Sequence, residues 1–207
     1  LKSGNTQELW RSQAPYYEVP VGILDIEKGQ FISRRESREE PPNYLLKSWK
    51  NSRQTALTDF PHPYPALQGV NKQVVHFTRK DGVALKGDLY LPKGYNPEKD
   101  GRLPVLMWAY PNEFKSAEAA GQVDGSPYEF LRLSWGSPIY WVTQGYAVFD
   151  DVSMPIIGEG DAEPNDSFRE QLVGNAAAAI DKIVDMGIGD RARIGVGGHS
   201  YGAFMTA

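Results

Sequence analysis

Apolar and polar positions follow one rhythm over the first third of the chain and another over the rest. Up to about residue 68 the β-type runs are brief: Gln7 to Trp10, Gly22 to Ile26, Gln30 to Arg35, Asn43 to Trp49 and Gln54 to Thr58, each set off by Gly, Pro, Asn or charged residues. Runs of that length and spacing predict strands of an antiparallel sheet. So few strands do not close a domain by themselves, which predicts the end of a larger all-β array such as a propeller.

Phe60-Pro61-His62-Pro63-Tyr64-Pro65 follows. Each proline fixes its own φ and biases the residue before it towards an extended backbone, so a stiff connector is expected. Gln73 to Lys80 and Val83 to Leu91 then flank Asp81-Gly82, a dipeptide suited to a type I′ hairpin. Beyond it the pattern alternates between strand and helix. Leu103 to Tyr110, Gly145 to Asp150 and Ile194 to Val196 are apolar runs of buried-strand character and predict a parallel sheet. Phe168, Leu172, Ala176, Ile180 and Ile183 recur at helical spacing as one apolar stripe. Ser167 with Glu170 matches a capping box at its start, and Gly187 supplies a C-terminal stop. Strand, helix, strand in this order predicts a right-handed crossover.

Composition narrows the function. Of 207 residues 41% are apolar and 23% charged, an ordinary globular balance, and the net charge is −4. With a pI near 5.4 the chain lacks the basic surface that nucleic acid or anionic lipid requires. The polar start, Leu1-Lys2-Ser3-Gly4-Asn5, has neither the basic nor the apolar region of a signal peptide, and no window reads as a membrane span. No cysteine is present, which rules out disulfides and thiolate zinc sites and leaves the compartment open.

Gly198-His199-Ser200-Tyr201-Gly202 follows the last predicted strand and opens a helix-prone segment. A G-x-S-x-G motif in that setting is the nucleophile elbow of an α/β-hydrolase. The need is steric: the serine sits on a strained turn that presents its hydroxyl, and the glycines let neighbouring backbone pass closely. Ser200 is therefore the candidate nucleophile. The backbone N–H of Tyr201 is one expected donor to an oxyanion hole, because acyl transfer builds charge on the former carbonyl oxygen.

The segment from Gly197 to Ala207 resembles the nucleophile region of the glutamyl endopeptidase branch of the prolyl oligopeptidase family. Phe60 to Pro65, Arg79 to Val83, Leu89 to Pro92, Glu113 to Ala117, Ala120 to Val123 and Pro155 to Asp161 resemble it too, so the likeness is specific from about residue 58 onward. The resemblance implies a β-propeller capping an α/β-hydrolase domain, with residues 1–68 as the terminal part of the propeller and 69–207 as the N-terminal part of the hydrolase. It implies peptide cleavage by a Ser, Asp, His triad, with a preference for glutamate before the scissile bond. Tyr110-Pro111-Asn112-Glu113 is read as the turn where many hydrolases supply a second oxyanion amide, which Pro111 lacks. By resemblance that donor is the Tyr110 hydroxyl.

Triads of this fold run Ser, then Asp or Glu, then His, and only seven residues follow Ser200. The Asp and His are expected beyond Ala207, and the 207-residue piece alone is expected to be inactive. His62, His76 and His199 all precede Ser200 and are not expected to act as the base. Glu159, Asp161, Glu163 and Asp166 read as solvated acids, with Asp166 a rival helix cap, rather than a metal cluster. Trp108, Trp135, Tyr140 and Trp141 read as core rather than pocket lining. This chemistry needs no metal or organic cofactor, and the expected partners are peptide substrates, not nucleic acid or a membrane. The alternatives are an esterase or aminopeptidase on the same scaffold, or a non-catalytic binding scaffold. The resemblance allows either a bacterial periplasmic or secreted location or the chloroplast stroma.

Overall fold

A computed structural model describes residues 4–122 and 125–207. Leu1, Lys2 and Ser3 of the polar start, and Val123 of the Ala120 to Val123 match, lie outside the described residues. The chain divides into two compact units. Residues up to Gln68 with Gly125–Arg132 make the first, and the rest of the chain from Gly69 makes the second. The sequence reading placed 125–132 with the second. Buried Glu36 accounts for the difference, because its carboxylate accepts the Phe130 amide at 3.2 Å and the Arg132 guanidinium at 3.2 Å.

The first unit is a four-stranded antiparallel meander: β1 Tyr17–Asp25, β2 Gln30–Glu36, β3 Asn43–Ser48 and β4 Gln54–Ala56, hydrogen-bonded in that order. Gln7 to Trp10, expected as a strand, forms none. Its tryptophan is a plug: the indole lies 5.4 Å from the Phe31 ring, whose other neighbour is Trp49 at 5.7 Å. Pro20 falls in β1, an edge strand, where a missing amide hydrogen breaks no ladder on the open side.

The second unit has a five-stranded mixed sheet in the order β5-β6-β8-β7-β9, with β5 Asn71–Thr78, β6 Ala84–Leu91, β7 Leu103–Phe114, β8 Ala147–Ile157 and β9 Gly189–Gly197. β7 pairs in parallel with both β8 and β9, as the three apolar runs predict. The β5-β6 hairpin and its contact with β8 are antiparallel. The hairpin turn is not type I′. Gly82 alone has positive φ, its amide bonds the Arg79 carbonyl at 2.9 Å, and Arg79 N–H bonds the Val83 carbonyl at 2.9 Å. That is a three-residue loop, a type I turn closed by a left-handed glycine.

Two four-residue helices, α1 Pro97–Asp100 and α2 Ala117–Ala120, are each capped by a side chain, Asn96 and Ser116. The long helix α3, Phe168–Asp185, packs on β8, β9 and β5. Its fully buried residues are Asn175, Ala179 and Ile183, and Leu172 and Ala176 of the expected stripe pack partly buried on the same core. The polar Asn175 is buried because of Arg79, which lies buried just past β5 and donates to Asn175 Oδ1 at 2.9 Å, while Asn175 Nδ2 donates to the Pro155 carbonyl at 2.9 Å. A buried guanidinium needs such partners, and a leucine there would offer none.

The expected Ser167 box is absent. Ser167 makes no cap bond, and the reciprocal box sits one turn earlier, on the 3-10 turn Pro164–Ser167, between Glu163 and Asp166. At the other end Gly187, φ 75°, gives the expected stop: Gly187 N–H bonds Val184 O and Ile188 N–H bonds Ile183 O, a Schellman pair. The sheet core between these elements holds Leu89, Met107, Phe149 and Ile183, all fully buried. The helix α4, Tyr201–Thr206, follows β9 directly.

Candidate active site

The site grows from the way β9 ends. After Gly197 the chain bends and Ser200 takes φ 52° and ψ −113°, a conformation that costs a residue with a Cβ on the order of 1–3 kcal/mol. Two neighbours force the bend. A Cβ on Gly198 would lie 2.5 Å from the Ala109 carbonyl oxygen of β7 and 2.6 Å from Gly202, and one on Gly202 would overlap the same oxygen. Gly202 N–H closes the turn on the His199 carbonyl at 2.8 Å. Trp108 fills the space over Gly197, where a Cβ would meet its ring at 2.5 Å. The three glycines of the bend thus lie against Trp108 and Ala109 of β7, while Ser200 is exposed.

β7 outlasts β9. Their pairing stops at Trp108 with Gly197, but β7 continues beside β8 as far as Phe114 with Ile157. Tyr110-Pro111-Asn112-Glu113 is therefore strand, not the expected turn, because β8 extends far enough to pair with it. Pro111 is tolerated where β7 has a neighbour on one side only. This places Tyr110 beside the bend, half exposed, with its ring 6.0 Å from that of Tyr201 and nearly perpendicular to it.

Tyr201 is held on several sides. Phe168 stacks on it at 5.5 Å, Phe204 at 6.1 Å, and its hydroxyl donates to Glu113 Oε1 at 3.2 Å. Its hydroxyl pKa is raised, first by burial and then by the Glu113 hydrogen bond and charge. The phenol is committed to Glu113, while the backbone amide of Tyr201 lies in the first turn of α4, where no intrahelical acceptor exists for it.

The three histidines go elsewhere. His62 Nδ1 accepts the Tyr64 amide at 3.1 Å and its ring meets Phe130 edge-on at 4.9 Å. His76 is exposed on β5 and lines a cavity of about 320 Å³ with Lys86, Tyr110 and Asn112. That cavity opens where β8 leaves β6: their pairing covers only Asp88 to Tyr90, and beyond it the Lys86 amide donates to Ser153 Oγ at 3.2 Å instead. His199 turns from Ser200 onto Trp135, 4.9 Å away and nearly perpendicular.

The expected core role of the aromatics fails for three of four. Trp135, Tyr140 and Trp141 are 87%, 47% and 50% exposed, and Trp108 is partly buried. They lie on turns and a 3-10 helix, Ile139–Gln144, whose inward positions are taken by Ile139 and Val142. The acids Glu159, Asp161, Glu163 and Asp166 are all exposed; Glu159 caps the Ala117 amide at 2.8 Å and Glu163 pairs with Lys115 at 2.9 Å. Glu113, Phe168 and Phe204 enter the site without any signal in residue spacing, because sheet length and helix placement bring them there.

No family model matches the chain. Curated relatives do. The chain is 46% identical to a protein of Oryza sativa subsp. japonica described as "Probable glutamyl endopeptidase, chloroplastic", over 100% of this chain and 23% of the relative. It is 45% identical to one of Arabidopsis thaliana with the same description, over 100% and 22%. The chain thus spans less than a quarter of these relatives. Among solved structures it shares its fold with oligopeptidase B from Leishmania major, at TM-score 0.57 and 13% identity over 98% of this chain and 27% of that one. A post-proline cleaving enzyme from Rickettsia typhi matches at TM-score 0.54 and 20% identity, over 92% and 25%.

Along its whole length the chain is homologous to these two proteins described as glutamyl endopeptidases, and its fold is that of solved peptidases of the prolyl oligopeptidase family. Within that family its full-length match is to the glutamyl endopeptidases, so it is a part-length homologue of that branch.

Proposed function

We propose that the complete protein is a serine peptidase in which Ser200 is the nucleophile, with glutamate preferred before the scissile bond. The observation that carries this reading is the exposed Ser200 held at φ 52° between two glycines that have no room for a side chain. Strain of that kind persists where surrounding packing enforces it, and it presents the hydroxyl to a substrate carbonyl. Ser200 Oγ attacks that carbonyl and loses its proton to a histidine base. The carbonyl oxygen, now anionic, receives hydrogen bonds from the Tyr201 amide and the Tyr110 hydroxyl. The same proton then passes to the leaving amine, and water releases the acyl group. The base and its aspartate are supplied by other residues of the complete protein, and the chain spans less than a quarter of its curated relatives.

The meander of the first unit is read as the last blade of a β-propeller and the second unit as the N-terminal part of an α/β-hydrolase domain. Support for the blade is the apolar exposure of the edge strand β1, where Val21, Ile23 and Leu24 are each more than half exposed, as on a sheet with further neighbours in the complete protein. Among the described residues no helix is long and apolar enough to cross a membrane. The relatives' descriptions favour the chloroplast over a secreted location.

The test is a fluorophosphonate probe on the full-length protein. Labelling that disappears in Ser200→Ala, with glutamyl peptides cleaved much faster than alanyl ones, is the expected result. An inert Ser200 would leave a binding scaffold, and ester turnover without peptide turnover would make the protein an esterase.

A further inference from the structure

The two residues that flank Ser200 send their rings to different partners. Tyr201 joins Tyr110, Phe168 and Phe204, whereas the ring that meets His199 among the described residues is that of Trp135. Trp135 is the most exposed large apolar side chain among the described residues, at 87%. It is also firmly mounted. Ser137 N–H bonds the Ser134 carbonyl at 3.1 Å to form the turn that carries it, and the next residues run into Ile139 and Val142, both buried. An indole that contacts one imidazole edge-on and otherwise faces water is a poor core residue. Its position on a stiff turn next to a nucleophile suits a contact made only when a substrate is present.

We infer that the Trp135–His199 pair is a subsite for a large apolar or aromatic side chain of the substrate, on a residue next to the scissile bond. The inference rests on the peptidase reading of Ser200 and deepens it. A peptide laid across Ser200 must pass His199 on one side, so the side chain that projects there meets the indole within one residue of the reacting carbonyl. An aromatic ring or a leucine covers the indole and removes apolar area from water on both partners. A lysine or arginine can lay its stem on the indole, but its charged head stays in water, so it removes less apolar area from water than a phenyl ring or a leucine does.

The experiment uses the full-length protein and a set of peptides that keep glutamate before the scissile bond and carry Phe, Leu, Ala or Lys in turn at the residue after it. The Phe and Leu peptides are expected to be preferred. Trp135→Ala should raise KM for them by ~10-fold, with the change in KM rather than kcat, against ~2-fold or less for the Ala peptide. Trp135→Phe should recover most of the loss. An equal fall in kcat for every peptide together with a lower melting temperature would show that the pair only braces two loops, and would overturn the inference, as would unchanged KM values or a preference for Lys. Fluorophosphonate labelling of Ser200 in the unsubstituted protein tests the peptidase reading separately. A labelled, active enzyme without this selectivity loses the subsite and keeps the peptidase; an unlabelled one loses both.

Discussion

The carbonyl oxygen of Ala109, in the middle of β7, occupies the place where a side chain on Gly202 would begin. One backbone atom therefore dictates the residue two positions after Ser200, and it excludes a Cβ on Gly198 as well. Gly202→Ala must push α4 away from β7. The expected cost is about 1–3 kcal/mol by denaturant unfolding. Ser200 should also lose its fluorophosphonate reactivity in the full-length protein. A variant of wild-type stability that still labels would mean the bend does not depend on this contact.

Tyr201 and Glu113 hold the wall beside Ser200. Glu113→Gln removes a charge and weakens an acceptor, so the Tyr201 hydroxyl should titrate at lower pH than in the parent, though still above an ordinary tyrosine because burial is the larger cause of its shift. Ultraviolet difference titration against a Tyr201→Phe control reads this directly. No movement of the titration would show that the hydrogen bond is not formed in solution.

Asp150, opposite Asp88 in the β6-β8 ladder, has its pKa pushed up to about 6, chiefly by burial, with the Asp151 and Asp88 charges adding to it. The Asp151 amide and the Lys72 ammonium work the other way. The folded protein thus keeps a proton that the unfolded chain gives up near pH 4, and stability falls as pH rises from about 4 to about 6, then levels off. Allowing for partial exposure, the loss attributable to this group is ~2 kcal/mol. Asp150→Asn should remove that slope and be the more stable protein at pH 7. Urea midpoints at both ends of the window decide it, and parallel profiles for the two proteins would count against the assignment.

Arg79 depends on α3. Its guanidinium is bound by both oxygens of Asp81, at 2.8 and 2.7 Å, and by Asn175 at 2.9 Å. Asn175→Leu would leave both the guanidinium and the Pro155 carbonyl short of a partner inside the protein, for a cost of about 2–4 kcal/mol. The double variant Arg79→Met with Asn175→Leu should recover part of that, since no buried charge then remains. A cycle with zero coupling would contradict the contact.

Much of this was legible in the residues. The runs read along the chain overlap all nine strands, and one further run, Gln7 to Trp10, forms none, because β-type runs bounded by turn residues record a local preference of the chain. Gly187 marks the end of α3, since only a residue without a Cβ enters that backbone region freely. The glycines around Ser200 announce a tight bend for the same reason. All of these are local constraints that a chain carries in its own covalent structure. Long-range placement decided the rest. β7 is strand through Tyr110 to Glu113 because β8 happens to run beside it, and a polar Asn175 is buried beside the expected apolar stripe because Arg79 lies opposite. Trp135 stands in water because Ile139 and Val142 take the interior positions near it. Each of these depends on which neighbour, far away along the chain, arrives with a hydrogen bond or a filled volume, and no spacing within a segment records that.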